Sequence, residues 1–274
     1  MAGFLIHKNQ KNKLPSLVLI MAVILLLPVS AIISADSQKE IAGKDGALMV
    51  LVPAGEFLMG STAGDVNLRW EHPKHKVFLD AYYIDKYEVT VARYQKFCQE
   101  TGRSMPSAPS WSWQDNHPIV NVSWNDAVAY AKHYGKRLPT EAEWEKACRA
   151  DSTTKYCFGN SEKNLGDYAW YSTNSNKQTH PVGTKKPNSF GIYDMHGTVW
   201  EWCNDWYNDN YYKNSPANNP KGPSSGPGRV LRGGGWFSSS GYCRSAFRNW
   251  DPSSFKYVNY GFRCAWSPSE ATEQ

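Results

Sequence analysis

Gly135-Lys-Arg-Leu-Pro-Thr-Glu-Ala-Glu-Trp-Glu145 decides how the chain folds. Thr140 stands three residues before Glu143, so its hydroxyl can take the Glu143 N–H while the carboxylate reaches back to the Thr140 N–H. That capping box opens a helix from Glu141 to about Arg149. Upstream, Ser123 and Asp126 repeat the device, with Asp in place of Glu or Gln. Ala127, Tyr130, Ala131 and Tyr134 follow on one helical face, and Gly135 ends the run. Thr90 caps a third helix reaching about Glu100, with Gly102 as its stop. Before these, Ala47–Ser61 reads as two short strands around a Pro53–Gly55 turn, and Val77–Asp85 as another strand. Beyond Asp151 helix signals vanish into Gly-, Asn-, Ser- and Trp-rich loops and short strands. Asn214–Gly228 reads as a surface loop, and neither an internal repeat nor a second domain is visible.

The composition agrees. The chain has 274 residues, 41% of them hydrophobic, with 12 Trp, 16 Tyr, 21 Gly and 16 Pro. This favours short strands, ordered loops and aromatic packing over a helical bundle. The net charge of +5 sits partly in the N-terminal segment, and no basic run appears elsewhere, which sets nucleic-acid binding aside.

Lys8, Lys11 and Lys13 precede an apolar run from Leu14 to Ile33, with small residues at Ala31 and Ala35. Residues 1–35 read as a signal peptide or as an uncleaved membrane anchor, since about 20 apolar residues can span a bilayer. Both readings export the remainder to the periplasm, cell surface or medium. Residues 36–46 read as a linker, 47–267 as the domain and 268–274 as a tail. Cys98, Cys148, Cys157, Cys203, Cys243 and Cys264 are an even set in an oxidising compartment, so disulfides are expected. Their spacing alone does not select a pairing.

Four segments carry a resemblance: Val52–Gly60; His117–Tyr130 with Gly135–Glu145; Gly191–Trp202; and Arg229–Trp236 closing with Gly261–Cys264. Together and in this order they are similar to the formylglycine-generating-enzyme, or sulfatase-modifying-factor, family. The resemblance implies an α+β, C-type-lectin-like fold with little regular secondary structure. It also implies an oxidase that uses copper on two thiolates to convert a client cysteine to formylglycine, because Cu+ needs soft ligands. Here Ser238 occupies the first thiol's position. Cys243 aligns either with the second thiol or, better, with the family's structural cysteine, since Cys-Arg-Ser-Ala-Phe-Arg follows it. One thiol is missing in both cases, so no catalytic residue is assigned unless Cys243 serves the oxidase alternative, and Cu+ is not expected.

By resemblance Cys148 pairs with Cys243. Cys264 matches another disulfide half whose expected partner position is Ala131, and the remaining cysteines are unassigned. The resemblance also implies Ca²⁺ on the carboxylates of Asp194 and Glu201 and the carbonyls of Gly197 and Val199, a hard-oxygen set that suits the ion. Without the ion, Asp194 caps a turn and Glu201 meets an arginine. The family's other calcium loop has no convincing counterpart around residues 168–183. His72 and His75 flank Pro73 and read as a solvated loop pair; Trp200, Trp202 and Trp206 read as core.

Between Trp236 and Gly261 the composition shifts to aromatics mixed with Ser, Gly and Asn, the chemistry of a binding paratope. Trp236, Phe237, Ser238, Ser239, Ser240, Tyr242, Phe247, Asn249, Trp250, Phe255, Tyr257 and Tyr260 are the expected ligand contacts. Arg244, Arg248 and Arg263 are expected to brace the scaffold. The place and residue types resemble the variable region of retroelement-diversified proteins. The functional expectation is therefore a monomeric, exported recognition or accessory module, diversified or not, for a protein or other cell-surface ligand. Any membrane contact would run through the N-terminal segment, and the copper oxidase is the alternative.

Overall fold

A computed structural model describes residues 39–61 and 69–268, together with 1 and 3; the N-terminal apolar run and most of the tail lie outside the described residues. The described residues from 39 to 268 pack as one compact unit. Its strands are β1 (Glu40–Ala42), β2 (Leu48–Val52), β3 (Gly55–Met59), β4 (His75–Leu79), β5 (Tyr82–Asp85), β6 (Trp200–Trp206), β7 (Arg229–Arg232), β8 (Asn249–Asp251), β9 (Tyr260–Gly261) and β10 (Ala265–Trp266). The helices are α1 (Val91–Thr101), α2 (Trp124–His133), α3 (Glu141–Arg149) and the single turn α4 (Leu165–Tyr168).

The three expected helices form where their caps place them. Thr90 accepts the Arg93 N–H, and Gly102 closes α1 in the left-handed conformation at φ 69°. Both halves of each capping box are made, Ser123 with Asp126 and Thr140 with Glu143. α4 follows Asp151, where no helix was expected.

The strands form two four-stranded sheets, ordered β1-β2-β5-β10 and β8-β7-β6-β9, and a β3-β4 ribbon. The expected single strand over Val77–Asp85 is two. It breaks at Asp80–Ala81, and β4 pairs with β3 while β5 enters the first sheet. The stretch expected to be a linker, 36–46, supplies β1, which pairs with β2, and Asp45, whose carboxylate takes buried Lys136 at 2.7 Å. Three strand residues are too few to show a period, so this segment read as coil. In the second sheet β9 runs parallel to β6, with Trp200 opposite Tyr260 and Glu201 opposite Gly261. That pairing sets the end of the 236–260 stretch beside the 194–201 loop.

Aromatics fill the core. Tyr94, Phe97, Tyr130, Trp202 and Phe262 share one buried cluster, and Tyr82, Trp144, Met195 and Tyr207 another. Trp200 and Trp202 are core residues as expected, and Trp206 takes the Arg229 guanidinium at 3.7 Å from its ring centre. His72 Nδ1 lies 2.7 Å from the Ser61 carbonyl oxygen, while His75 opens β4 and packs on Tyr212.

Candidate functional site

The C-terminal stretch is pinned by buried ion pairs. Arg244 grips Glu71 through two nitrogens at 2.7 and 2.8 Å. Arg248 grips Glu141 at 2.6 and 2.8 Å. Arg263 grips Glu201 at 2.7 and 2.8 Å. Each guanidinium is buried, and each pair is bidentate, the geometry that best offsets desolvation. These are the bracing arginines the sequence indicates.

Between the braces the surface is aromatic. Among the described residues from 39 onward the exposed large apolar side chains are Leu48, Leu58, Phe237, Tyr242, Trp250, Phe255 and Tyr257, so five of these seven fall in this one stretch. Phe237 is 44% exposed and Tyr257 45%, with ring centres 6.1 Å apart; Phe255 stacks on Tyr257, also at 6.1 Å. Trp111, from the loop after α1, meets Trp236 edge-on at 5.4 Å and continues the row. Tyr242 leans on Phe247 at 4.8 Å, and Trp250 packs over Tyr207 in edge strand β8. Among residues 236–257 the exposed charge is Lys256, and Asp126 neutralises it at 2.7 Å. Single exposed apolar residues are ordinary, whereas contiguous patches mark interaction sites.

Not every expected contact reaches the surface. Trp236, Phe247 and Tyr260 are buried and root the exposed rings instead of presenting their own. Trp236 donates Nε1–H to the Val258 carbonyl at 3.2 Å, and the Tyr260 hydroxyl donates to Asp251. Ser238 is buried as well, while Ser239 is exposed and Ser240 and Asn249 are half-buried. Hydrophobic composition alone cannot separate a root from a presented ring. Trp111 was missed because it lies far away in sequence; the aromatic run Trp111-Ser-Trp113 was the available signal.

The position expected for copper does not suit it. Ser238 Oγ accepts the Gly235 N–H at 2.9 Å, closing a tight turn. The Cys243 thiol faces inward, and burial, with Cys148 beside it, pushes it up to about 12. Two accessible thiolates are not found there among the described residues. Cys148 and Cys243 are buried free thiols in this structure, as are Cys98, Cys203 and Cys264; Cys157 is half-buried. Cys148 Sγ lies 3.8 Å from His196 Nε2. Nδ1 of that ring reaches the Cys243 carbonyl at 2.7 Å, and Nε2 takes the Cys157 N–H at 3.1 Å. These two contacts put the His196 proton on Nδ1. Sequence spacing gave no hint that His196 joins the three cysteine segments.

The expected calcium residues come together in the Asp194–Glu201 loop. Asp194 takes a left-handed φ of 61° and accepts the Gly183 N–H at 2.6 Å. Glu201 faces Arg263 and accepts the Trp144 Nε1–H at 2.9 Å. These are the contacts expected without an ion. Asp194 Oδ1 and both oxygens of Glu88 are buried with no other donor to satisfy them, and the two carboxyls turn toward each other. Glu88 was not anticipated. Its carboxyl is pushed far up, chiefly by burial and then by Asp194, and Asp194 is pushed to about 6, first by burial. Three buried carboxylates thus share one Arg263, which pairs closely with Glu201 at 2.7 Å and lies 3.8 Å from Glu88.

Residues 35–268 match the sulfatase-modifying factor enzyme 1-like domain. The chain belongs to this family. The sulfatase-modifying-factor-like domain is 35% identical to the formylglycine-generating enzyme of Streptomyces coelicolor, over 79% of this chain and 88% of that one. It is 33% identical to the enzyme of Bos taurus, over 79% and 74%. Its fold is similar to Treponema denticola variable protein 1, with a TM-score of 0.72 and 30% identity over 81% of this chain and 95% of that one. It is likewise similar to PvdO from Pseudomonas aeruginosa, at 0.75 and 29% over 83% and 97%. The α+β, lectin-like architecture expected from the motifs is therefore that of the domain.

Proposed function

We propose that the domain is an exported recognition or accessory module that presents Phe237, Tyr242, Trp250, Phe255 and Tyr257 to a protein or other cell-surface ligand. One observation carries this reading: five rings stand out in solvent on a stretch whose arginines are all turned inward to brace the scaffold. Exposing aromatics costs solubility, and rigid rings on a pinned backbone are what interfaces use as anchors. The likeness to a protein named as variable supports diversification of this stretch. Export rests on the N-terminal run, monomeric state on sequence alone, and a Cys148–Cys243 disulfide on resemblance.

The same reading includes Ca²⁺ held by Asp194 and the Gly197 and Val199 carbonyls. Glu88 supplies further oxygen, and Glu201 is shared with Arg263. The ion would stiffen the loop that carries β6 into the second sheet. The oxidase remains the alternative, favoured by identity to formylglycine-generating enzymes and opposed by Ser238 and the buried Cys243.

Binding of the folded domain to the producing cell's envelope fraction, with and without Phe237→Ser, Phe255→Ser and Tyr257→Ser together, tests the recognition reading. Loss of at least tenfold in affinity at unchanged melting temperature is expected. Equal binding by both proteins would remove these rings from the account.

A further inference from the structure

The resemblance would have its other calcium site around residues 168–183, and the loop there, followed to Lys186, does not fit one. The loop contains no Asp or Glu and three lysines, Lys177, Lys185 and Lys186. A hard divalent cation needs roughly six to eight oxygens, with carboxylates among them. Protein donors also hold carbonyls in the loop and just before it. The Lys185 ammonium donates to the Gly166 carbonyl at 2.6 Å, the Asn174 amide to that of Ala169 at 2.9 Å, and the Thr198 N–H to that of Trp170 at 2.7 Å.

We infer that side-chain cations and amides of this chain do the work of a metal here, and that the clamp so formed positions the recognition stretch. Its centre is Trp170. The His180 ring stacks on it at 3.7 Å, and Lys185 Nζ lies 3.8 Å from its centre. Two groups so close to one ring centre must occupy opposite faces, so the indole is sandwiched. His180 Nε2 donates to the Ser175 carbonyl at 2.7 Å, and Trp170 Nε1 donates to Thr184 at 3.0 Å, which ties both ends of the loop to the sandwich. A cation on an indole face is attracted by the ring quadrupole, the more strongly as water is excluded.

The clamp reaches two neighbours. Gly183 gives its N–H to Asp194, and a Cβ at Gly197, which has φ 89°, would come within 2.4 Å of the Trp170 carbonyl, so the two loops lie backbone to backbone. Ser172 donates its N–H to the Ser238 carbonyl at 3.0 Å. Ser238 is next to Phe237, so the placement of an exposed ring depends on a sandwich built elsewhere in the chain. Lys185, Trp170 and His180 are thus positioning residues for the proposed surface. This step rests on that surface being functional, but the clamp can be tested without any ligand.

Hydrogen–deuterium exchange on the full domain, in calcium and in excess EGTA, reads the clamp directly. In the wild type, exchange over 172–181, the part of the loop away from the Asp194 and Gly197 contacts, should be the same in both buffers. Lys185→Ala should speed it at least tenfold, and speed exchange over 237–240 with it, while α2 stays protected as in the wild type. Lys185→Arg, whose planar cation also stacks on indole, should restore most of the protection. If Lys185→Ala does not fold, Trp170→Phe serves, with a smaller rise expected at the same two segments. The inference fails if EGTA alone loosens 172–181 in the wild type. It also fails if Lys185→Ala leaves either segment unchanged, or if exchange rises uniformly across the domain. The envelope-binding measurement is separate, so loss of that activity leaves this result standing.

Discussion

Arg248 joins the recognition stretch to the first turn of α3 by gripping Glu141 with Nε at 2.6 Å and Nη2 at 2.8 Å, both side chains being buried. Its remaining nitrogen donates to the Trp70 and Asn208 carbonyls. One guanidinium therefore ties together three segments far apart in sequence. Arg248→Ala would leave the buried Glu141 with only the Arg232 guanidinium at 3.6 Å and the Tyr212 hydroxyl at 3.4 Å, a loss approaching that of a broken buried pair, about 3–5 kcal/mol. Urea unfolding should show that loss. A cost below about 1 kcal/mol would mean that the brace is not structural.

The presented rings should behave in the opposite way. Phe237→Ala and Tyr257→Ala remove side chains that are nearly half exposed, so each should change stability by less than about 1 kcal/mol. Phe262→Ala, by contrast, empties a site that is fully buried and should cost about 3–5 kcal/mol. Thermal melts of the three variants check the contrast.

Asp205 gives the stability a pH dependence. Burial, with Glu141 close by, pushes its carboxyl up to about 8 from 3.8. A raised carboxyl favours the folded state while protonated in it. That stability is fully present below pH 3.8 and is lost as pH climbs through about 8. The slope from this group is at most about 1.4 kcal/mol per pH unit across the window. Asp205→Asn should flatten the fall between pH 5 and 8, and identical slopes for the two proteins would contradict it.

Thiol reactivity should rank by burial. Iodoacetamide at pH 8 under reducing conditions should label half-buried Cys157 first. Cys148 and Cys243, both pushed up to about 12 chiefly by burial, should react only on unfolding. Peptide mapping reads the order, and early labelling of Cys243 would place that thiol at the surface.

Calcium should raise the melting temperature of the wild type, by the equivalent of about 2.7 kcal/mol at a hundred times its Kd. Asp194→Ala should abolish the rise and Glu88→Gln should weaken it. A rise of equal size in Asp194→Ala would move the ion elsewhere.

Much of this architecture was legible in the chain because helix caps are local. Thr90, Ser123 and Thr140 each mark a helix start through contacts only three residues long. The family motifs likewise carried the fold. What stayed hidden depends on distant partners. β1 has no period of its own and exists through β2. Glu88 meets Asp194 only in three dimensions, and Trp111 joins Trp236 across the chain. The aromatic stretch was visible as composition, but the division into presented and rooted rings is set by the sheet beneath it.

The most direct measurement offers the purified domain Cu+ and a peptide bearing Cys-x-Pro-x-Arg, and follows the peptide by mass. With a hydroxyl at Ser238 and the Cys243 thiol turned inward, no tight copper binding and no aldehyde are expected. Catalytic conversion of the peptide cysteine to formylglycine would contradict the assignment of this domain to recognition.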